Sequence, residues 1–115
     1  MKSVFVVEDD SSIAAVLRDA LEDFGLDIFA SPADVPQGRA PALVITDLQS
    51  PEGYRSDEAI RIVQALRSRT GAPVMVLTAH GPARLDADLA AETVAVMLKP
   101  FDINELIATV ERFAS

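Results

Sequence analysis

The sequence predicts an α/β fold in which helices cover both faces of a doubly wound, five-stranded parallel sheet. Short apolar runs, most of them rich in β-branched residues, alternate along the chain with segments of helical periodicity. These runs are apolar almost throughout, which is typical of parallel strands buried on both faces. Since 115 residues are enough for one hydrophobic core, we expect residues 1–115 to form a single domain.

The first crossover carries a clear helical stripe, whereas the second carries almost none. Apolar residues recur at helical spacing from Ile13 to Phe24, after Asp10 or Ser11 as the N-cap, and Gly25 is expected to follow the helix C-terminus. The next segment contains several helix-breaking residues within a short stretch: Pro32, Pro36, Gly38 and Pro41. Because an interior proline removes a hydrogen bond and clashes, we expect only a turn or a degenerate helix there.

The remaining elements have clearer boundaries. Strands are expected at 4–7, 26–29, 43–46, 74–77 and 94–98. Ser56 is a candidate N-cap for the helix after the third strand, and Asp102 begins a capping-box pattern for the last helix. A weak acidic helix is expected over 82–92, with Leu85 and Leu89 as its large apolar anchors.

Composition excludes several classes of function. The chain has no cysteine, which excludes disulfides, thiolate metal sites and a cysteine nucleophile, and its single histidine cannot build a multi-histidine site. A metal would therefore be held by carboxylates, which favours a hard ion such as Mg²⁺. The net charge of −8 makes nucleic acid an unexpected partner. No membrane helix or signal peptide is evident, so we expect a cytoplasmic protein without membrane contact.

Polar side chains of interest follow the predicted strands. Glu8 and Asp9 follow the first strand, Asp47 the third, Thr78 the fourth and Lys99 the fifth. With strand order 2-1-3-4-5 these strands are neighbours, about 4.8 Å apart, and ligands of such sheets bind at the carboxyl ends of the strands. The sequence therefore predicts one pocket that contains all five side chains.

Three carboxylates in one pocket need compensation. Two unit charges about 5 Å apart repel by roughly 3 kcal/mol at an effective dielectric constant of 20. Lys99 offsets one charge, and Mg²⁺ held by the carboxylates would offset the rest. The same cation would neutralise a transferring phosphoryl group, with Asp47 as the nucleophile that forms an acyl phosphate. Thr78 and Lys99 would each donate a hydrogen bond to a phosphoryl oxygen.

Four sequence blocks occur in a familiar order: Val-Val-Glu-Asp-Asp-Ser at 6–11, Val-Ile-Thr-Asp at 44–47 followed by Pro51, Val-Leu-Thr-Ala at 76–79 and Leu-Lys-Pro-Phe at 98–101. In these blocks the chain resembles the receiver domain of bacterial response regulators. The resemblance spans essentially the whole chain, and it implies a flavodoxin-like fold with strand order 2-1-3-4-5. It also implies a cis bond between Lys99 and Pro100.

The resemblance implies a role for each pocket residue. Asp47 would accept a phosphoryl group from a sensor histidine kinase or a histidine phosphotransfer protein, with Thr78 as the switch hydroxyl and Lys99 as the lysine typical of the family. The implied Mg²⁺ ligands are Glu8, Asp9, Asp47 and the backbone carbonyl of Gln49. The resemblance implies slow self-catalysed loss of phosphate rather than enzyme activity on another substrate, and signalling through contacts with a downstream protein that the sequence does not identify. Homodimerisation is left open.

Other positions depart from the family pattern. Val96 stands where the family usually has Tyr or Phe, so the usual aromatic coupling to the switch hydroxyl is absent. Tyr54 and Arg55 are expected on a solvated loop, and His80 is either close to the attacking water or simply exposed.

Two alternatives to a phosphoacceptor receiver stay open. The first is a degenerate receiver that binds partners without phosphorylation, which Val96 and the reduced second crossover favour. The second is a Mg²⁺-dependent phosphatase. It is disfavoured because such enzymes of the haloacid-dehalogenase type carry Asp-x-Asp after the first strand, whereas Asp9 is followed by Asp10 and Ser11.

Overall fold

A computed structural model describes residues 2–48 and 52–114. Its sheet has five parallel strands in the order β2-β1-β3-β4-β5. The strands are β1 (Ser3–Val7), β2 (Gly25–Phe29), β3 (Leu43–Thr46), β4 (Val74–Thr78) and β5 (Ala95–Leu98). The helices are α1 (Ser11–Ala20), α2 (Ser56–Thr70), α3 (Gly81–Arg84), α4 (Ala87–Glu92) and α5 (Ile103–Ala114). The predicted fold class and strand order are confirmed.

The sheet separates two hydrophobic cores, because side chains of successive strand residues point to opposite faces. One core lies under α1 and α5, and its largest members include Val6, Leu17, Ile45 and Leu106. The other lies under α2, α3 and α4, with Val7, Val44, Val63 and Leu89 among its members. None of the helices in the described residues is long and apolar enough to cross a bilayer.

The second crossover is as reduced as the prolines predict. Between β2 and β3 the described chain forms a single 3-10 turn, Pro32–Asp34, with Pro32 in its first turn. Val35 follows the turn and is buried against the sheet. A full helix is therefore replaced by one turn that still covers part of the core.

The first helix ends earlier than predicted. It stops at Ala20, and the residues up to Phe24 form turns, so Gly25 is the first residue of β2 and not a helix-terminal glycine. The Gly25 N–H donates to the carbonyl of Lys2 at 2.8 Å, which places Gly25 in the sheet. Phe24 still packs against the core from the turn, which explains why the apolar periodicity extends past the helix end.

Two further boundaries were wrong. Ser56 is the first residue of α2 rather than its cap, and the cap position is held by Arg55 without a side-chain hydrogen bond. The predicted helix over 82–92 is two short helices, because Asp86 caps α4 by accepting hydrogen bonds from the helix's first turn. Leu85 lies at the break and is 89 % exposed, whereas Leu89 is fully buried.

The sheet register fixes where the functional residues leave the strands. Val7 pairs with Thr46, and Thr78 pairs with Leu98. The backbone ladder continues one residue further, since Asp47 N–H donates to the Val7 carbonyl at 2.9 Å and Lys99 N–H donates to the Thr78 carbonyl at 2.8 Å. The backbones of Asp47 and Lys99 are thus held by the neighbouring strands. The Lys99–Pro100 bond is cis, as expected.

Candidate functional site

The carboxyl ends of β1 and β3 bring three carboxylates together. One carboxylate oxygen from each of Glu8, Asp9 and Asp47 lies within 4.8 Å of the others. Glu8 is buried, Asp47 is half-buried and Asp9 is exposed, so the cluster opens towards solvent on the side of Asp9. The predicted acidic pocket therefore forms, and its oxygen ligands are of the kind that Mg²⁺ prefers.

Lys99 enters this cluster from the end of β5. Its Nζ lies 2.6 Å from Oε1 of Glu8 and 3.3 Å from Oδ1 of Asp47. The Glu8 side chain is only 2 % exposed, and those of Lys99 and Asp47 are each 15 % exposed. The ammonium therefore bridges the two less exposed carboxylates, and its shorter contact is with Glu8.

Burial and charge shift the proton affinities of this pair. Burial raises the pKa of Glu8 above its ordinary value, and the negative charge of Asp47 adds to the shift although the hydrogen bond from Lys99 opposes it. Burial alone would lower the pKa of Lys99. The hydrogen bond to Glu8 and the charges of Asp47 and Glu8 outweigh that effect and raise it. Lys99 therefore stays cationic, while the charge of Glu8 is stabilised only in part.

Thr78 lies at the same edge of the sheet, as predicted, and its hydroxyl contacts the loop that follows β4. Its side chain is fully buried at the last position of β4, and its Oγ1 accepts a hydrogen bond from His80 N–H at 3.1 Å. The hydroxyl proton remains available for a second acceptor. Gln49, the other residue expected at the site, lies outside the described residues.

A cleft of about 370 Å³ opens beside Asp47. It is lined by Ser31, Pro32, Ala33, Asp47, Glu58 and Ile62. The single 3-10 turn in the second crossover forms one wall, and α2 forms the other. Asp47 therefore borders an open cleft between the second crossover and α2.

Sequence reasoning missed a contact next to this pocket. Tyr54 is half-buried rather than solvated, and its hydroxyl donates to Oδ2 of Asp86 at 2.5 Å. The two residues are 32 positions apart, so no local pattern could reveal the pair. The only available signal was the N-cap pattern at Asp86, which would have placed a helix start there.

Val96 occupies the position where an aromatic residue was expected by resemblance. It pairs with Val76 in the register of β4 and β5, and it is half-buried against the core under α2, α3 and α4. An aliphatic side chain has no hydrogen-bond donor or acceptor. Coupling through a hydroxyl at this position is therefore absent.

The family model described as "Response regulator receiver domain" matches residues 4–111. The chain belongs to the response regulator receiver domain family. This receiver domain is of the type used in two-component signal transduction, and the match covers β2 to β5 in full, all of β1 except Ser3, and most of α5.

Curated relatives are similar over nearly the whole receiver domain but are longer proteins. The transcriptional regulator NtrC of Escherichia coli (strain K12) is 35 % identical over 121 residues, covering 97 % of this chain and 24 % of NtrC. The KDP operon regulator KdpE of the same organism is 35 % identical over 115 residues, covering 94 % of this chain and 49 % of KdpE. The chain thus spans about a quarter to a half of these relatives.

Solved structures agree on the fold. The response regulator TrrA of Thermotoga maritima, in complex with Mg²⁺ and BeF, has a TM-score of 0.76 at 21 % identity, covering 98 % of this chain and 99 % of that chain. The receiver domain of a sensor histidine kinase from Pseudomonas aeruginosa, with a magnesium ion in its active site cleft, has a TM-score of 0.77 at 18 % identity, covering 98 % and 97 %. At these identities the likeness establishes the fold.

Proposed function

We propose that this receiver domain accepts a phosphoryl group on Asp47 from a phosphohistidine and signals through protein contacts. The observation that supports this function most strongly is the charge of the pocket. When all groups are ionised, Glu8, Asp9 and Asp47 bring three negative charges against the one positive charge of Lys99. Two negative charges remain, and a divalent cation would balance them.

Mg²⁺ is the cation that fits this donor set. The carboxylates of Glu8, Asp9 and Asp47 would hold it, and by resemblance the backbone carbonyl of Gln49 would complete the protein's ligands. When bound, Mg²⁺ supplies charge neutralisation at the phosphoryl oxygens. The raised pKa of Glu8 fits this assignment, because a carboxylate whose negative charge is destabilised by burial gains from a nearby cation.

The side chains of the pocket account for the transfer itself. An oxygen of the Asp47 carboxylate attacks the phosphorus, so an O–P bond forms while the P–N bond to the donor imidazole breaks and its electron pair stays on nitrogen. Lys99, already 3.3 Å from Oδ1 of Asp47, donates to one phosphoryl oxygen. The free hydroxyl proton of Thr78 is available for another.

The proposed partners follow from this chemistry. The donor is a sensor histidine kinase or a histidine phosphotransfer protein in the cytoplasm, and the phosphorylated form acts on a downstream protein or on a second copy of the chain. The domain catalyses its own phosphorylation, and water attack on the acyl phosphate returns Asp47 slowly to its starting state. Nucleic acid is not proposed as a partner, because the chain carries a net charge of −8.

Incubation with acetyl phosphate and Mg²⁺, followed by intact mass measurement, tests the proposal. The wild-type protein should gain one phosphoryl group, and Asp47→Asn should gain none while keeping its fold, because the change relieves repulsion in the pocket. Asp19→Asn, an exposed aspartate on α1, is the matched control and should label like the wild type. Equal labelling of Asp47→Asn would exclude Asp47 as the acceptor.

The second candidate is a degenerate receiver that binds its partner without phosphorylation. The observation that favours it is the aliphatic Val96 in place of a switch aromatic. The same experiment separates the two functions. A folded wild-type protein that gains no phosphoryl group from acetyl phosphate with Mg²⁺ would support the degenerate function and contradict the phosphoacceptor function.

A further inference from the structure

The contact between Tyr54 and Asp86 joins two segments on the α2 side of the sheet. Tyr54 lies two residues before α2, and Asp86 lies between α3 and α4. The Tyr54 hydroxyl donates to Oδ2 of Asp86 at 2.5 Å in a partly buried position. The bond therefore ties the chain that follows the acceptor strand β3 to the start of α4.

Several hydrogen-bond donors hold the Asp86 carboxylate in this position. Its Oδ1 accepts from the N–H groups of Asp88 at 3.0 Å and Leu89 at 3.3 Å, which caps α4. Hydrogen bonds from the hydroxyls of Ser56 and Tyr54 hold the pKa of Asp86 below its ordinary value. An ionised carboxylate only accepts hydrogen bonds, so Tyr54 is the donor to Asp86.

The ring of Tyr54 contacts the loop that follows the switch hydroxyl. Its centroid lies 6.5 Å from that of His80, with the rings tilted by 40°. The backbone N–H of His80 donates to Oγ1 of Thr78 at 3.1 Å. Tyr54 is thus placed between Thr78, through His80, and α4, through Asp86.

The other end of α4 is held against α2 by contacts that do not involve Tyr54 or Asp86. Nη2 of Arg67 lies 2.6 Å from a carboxylate oxygen of Glu92, and the amide of Gln64 donates to Glu92 at 3.3 Å. The hydrogen bond at Asp86 lies at the N-terminal end of α4, next to the loop after Thr78. The ion pair at Glu92 lies at the opposite end of the helix. A movement of the loop after Thr78 would therefore affect the Asp86 end first.

We propose that Tyr54 is a positioning residue that couples phosphorylation at Asp47 to α4. It would replace the coupling to the switch hydroxyl that an aromatic residue usually provides at the position of Val96. This inference rests on the proposed phosphoacceptor function. In this proposal the hydrogen bond to Asp86 is a feature of the unphosphorylated arrangement. When the Thr78 side chain rotates and carries Oγ1 towards a phosphoryl oxygen, Oγ1 moves away from His80 N–H, the loop under the Tyr54 ring shifts, and the bond to Asp86 weakens.

Coupling of this kind is reciprocal. If phosphorylation weakens the bond between Tyr54 and Asp86, then removing the bond must favour the phosphorylated arrangement before any phosphate is present. Tyr54→Phe removes the hydroxyl and keeps the ring against His80. Asp86→Asn is a second variant, because its amide oxygen still caps α4 while its NH₂ group can only donate to the Tyr54 oxygen, which replaces the charge-assisted bond with a weaker neutral one.

Amide NMR spectra with and without acetyl phosphate and Mg²⁺ test the inference. In the unphosphorylated Tyr54→Phe protein, the Leu89 and Ala90 signals should lie on the line between the wild-type unphosphorylated and phosphorylated positions. The balance between phosphorylated and unphosphorylated protein at a fixed acetyl phosphate concentration should shift about fivefold towards the phosphorylated form. Asp86→Asn should show a displacement in the same direction, and the double variant should move no further than Tyr54→Phe, since both changes act on one bond.

Arg67→Met is the matched control, since it breaks the ion pair at the other end of α4. It should shift signals around Glu92 without moving Leu89 and Ala90 along the same line. If Tyr54→Phe and Asp86→Asn leave both signals at wild-type positions, or if Arg67→Met displaces them equally, the role of Tyr54 is excluded while the phosphoacceptor function stands. If the wild type itself gains no phosphoryl group, both proposals fall together.

Discussion

The acidic pocket and the contact between Tyr54 and Asp86 lie near the same edge of the sheet but are held in different ways. The backbones of Asp47 and Lys99 are bonded to neighbouring strands, so the sheet register places their side chains. Tyr54 and Asp86 lie outside the strands, and a side-chain hydrogen bond joins their two segments. The proposed chemistry therefore depends on the sheet, whereas the proposed coupling to α4 depends on side chains that can change without moving the pocket.

The largest expected effect tests how strongly the pocket depends on its single ammonium. Lys99→Met leaves the buried Glu8 facing Asp47 without a cation. Removing one partner of a buried ion pair lowers the free energy of unfolding by about 3–5 kcal/mol. We expect the lower end of this range because Glu8 can take up a proton. Urea unfolding at pH 7 without Mg²⁺ should show this loss, and Lys2→Met, an exposed lysine, should show almost none.

The pH dependence of that loss identifies Glu8 as its source. The folded-state pKa of Glu8 lies above the ordinary value of 4.5, so its charge destabilises the fold. This cost is absent below about pH 4.5 and grows as the pH rises through the folded-state pKa. The deficit of Lys99→Met should therefore shrink below pH 4.5, and Mg²⁺ should reduce it at pH 7. A deficit that is equal at both pH values would show that Glu8 is not responsible.

A second prediction compares two leucines on the side of the molecule opposite α1 and α5. Leu89 is fully buried and Leu85 is 89 % exposed, although both lie in the segment that looked like one amphipathic helix. Leu89→Ala should cost about 3 kcal/mol in urea unfolding because it removes core contacts and leaves a cavity. Leu85→Ala should change stability by less than about 0.5 kcal/mol. Similar losses for both variants would contradict the break at Asp86.

The pocket could be predicted because its information is local to each strand. Every strand shows an apolar run, and the residue after each run is placed by the parallel register, so Glu8, Asp9, Asp47 and Lys99 are brought together as expected. Which carboxylate Lys99 prefers was not predictable, because that choice depends on the depth of Glu8 below the surface.

The α3–α4 region could not be predicted because its boundaries are set by tertiary contacts. The periodicity of 82–92 fits one helix, but Asp86 accepts from Tyr54 and also caps α4, which ends α3 and turns Leu85 outwards. In the same way, Ser56 is the first residue of α2 rather than its cap, and its hydroxyl lowers the pKa of Asp86. Contacts between residues about 30 positions apart therefore override the local helix propensity.

A smaller effect is expected on the cation affinity of the pocket. Asp9 is exposed and contributes one of the three carboxylates, so Asp9→Ala should weaken Mg²⁺ binding about tenfold. Calorimetry measures this directly, and the chain has no tryptophan to report it by fluorescence. Asp10→Asn is the neighbouring control, since it keeps the cap of α1 and should leave the affinity unchanged. Unchanged affinity in Asp9→Ala would remove Asp9 from the ligand set.

The smallest effect at neutral pH concerns the hydrogen bond between Tyr54 and Asp86. The titration of Tyr54, which is a single chromophore, measures this bond. Tyr54 is the chain's one tyrosine, and there is no tryptophan, so the absorbance of the phenolate reports this residue alone. Burial raises the pKa of Tyr54 to about 12, and the hydrogen bond to Asp86 adds to the shift. Because the folded-state pKa lies above the ordinary value of 10, the protonated Tyr54 hydroxyl contributes its full stabilisation below pH 10, and this contribution is lost as the pH rises towards 12.

Asp86→Asn separates the two causes of that shift. The midpoint of the Tyr54 titration should fall below 12 because the charge of Asp86 is gone, but it should stay above 10 because burial remains. Asp88→Asn, which changes a more weakly acting charge nearby, should move the midpoint less. A midpoint that does not respond to Asp86→Asn would mean that burial alone sets the pKa of Tyr54. The hydrogen bond between Tyr54 and Asp86 would then have no energetic basis for coupling the segment before α2 to α4. Any effect of phosphorylation on α4 would have to be transmitted through the backbone of the sheet.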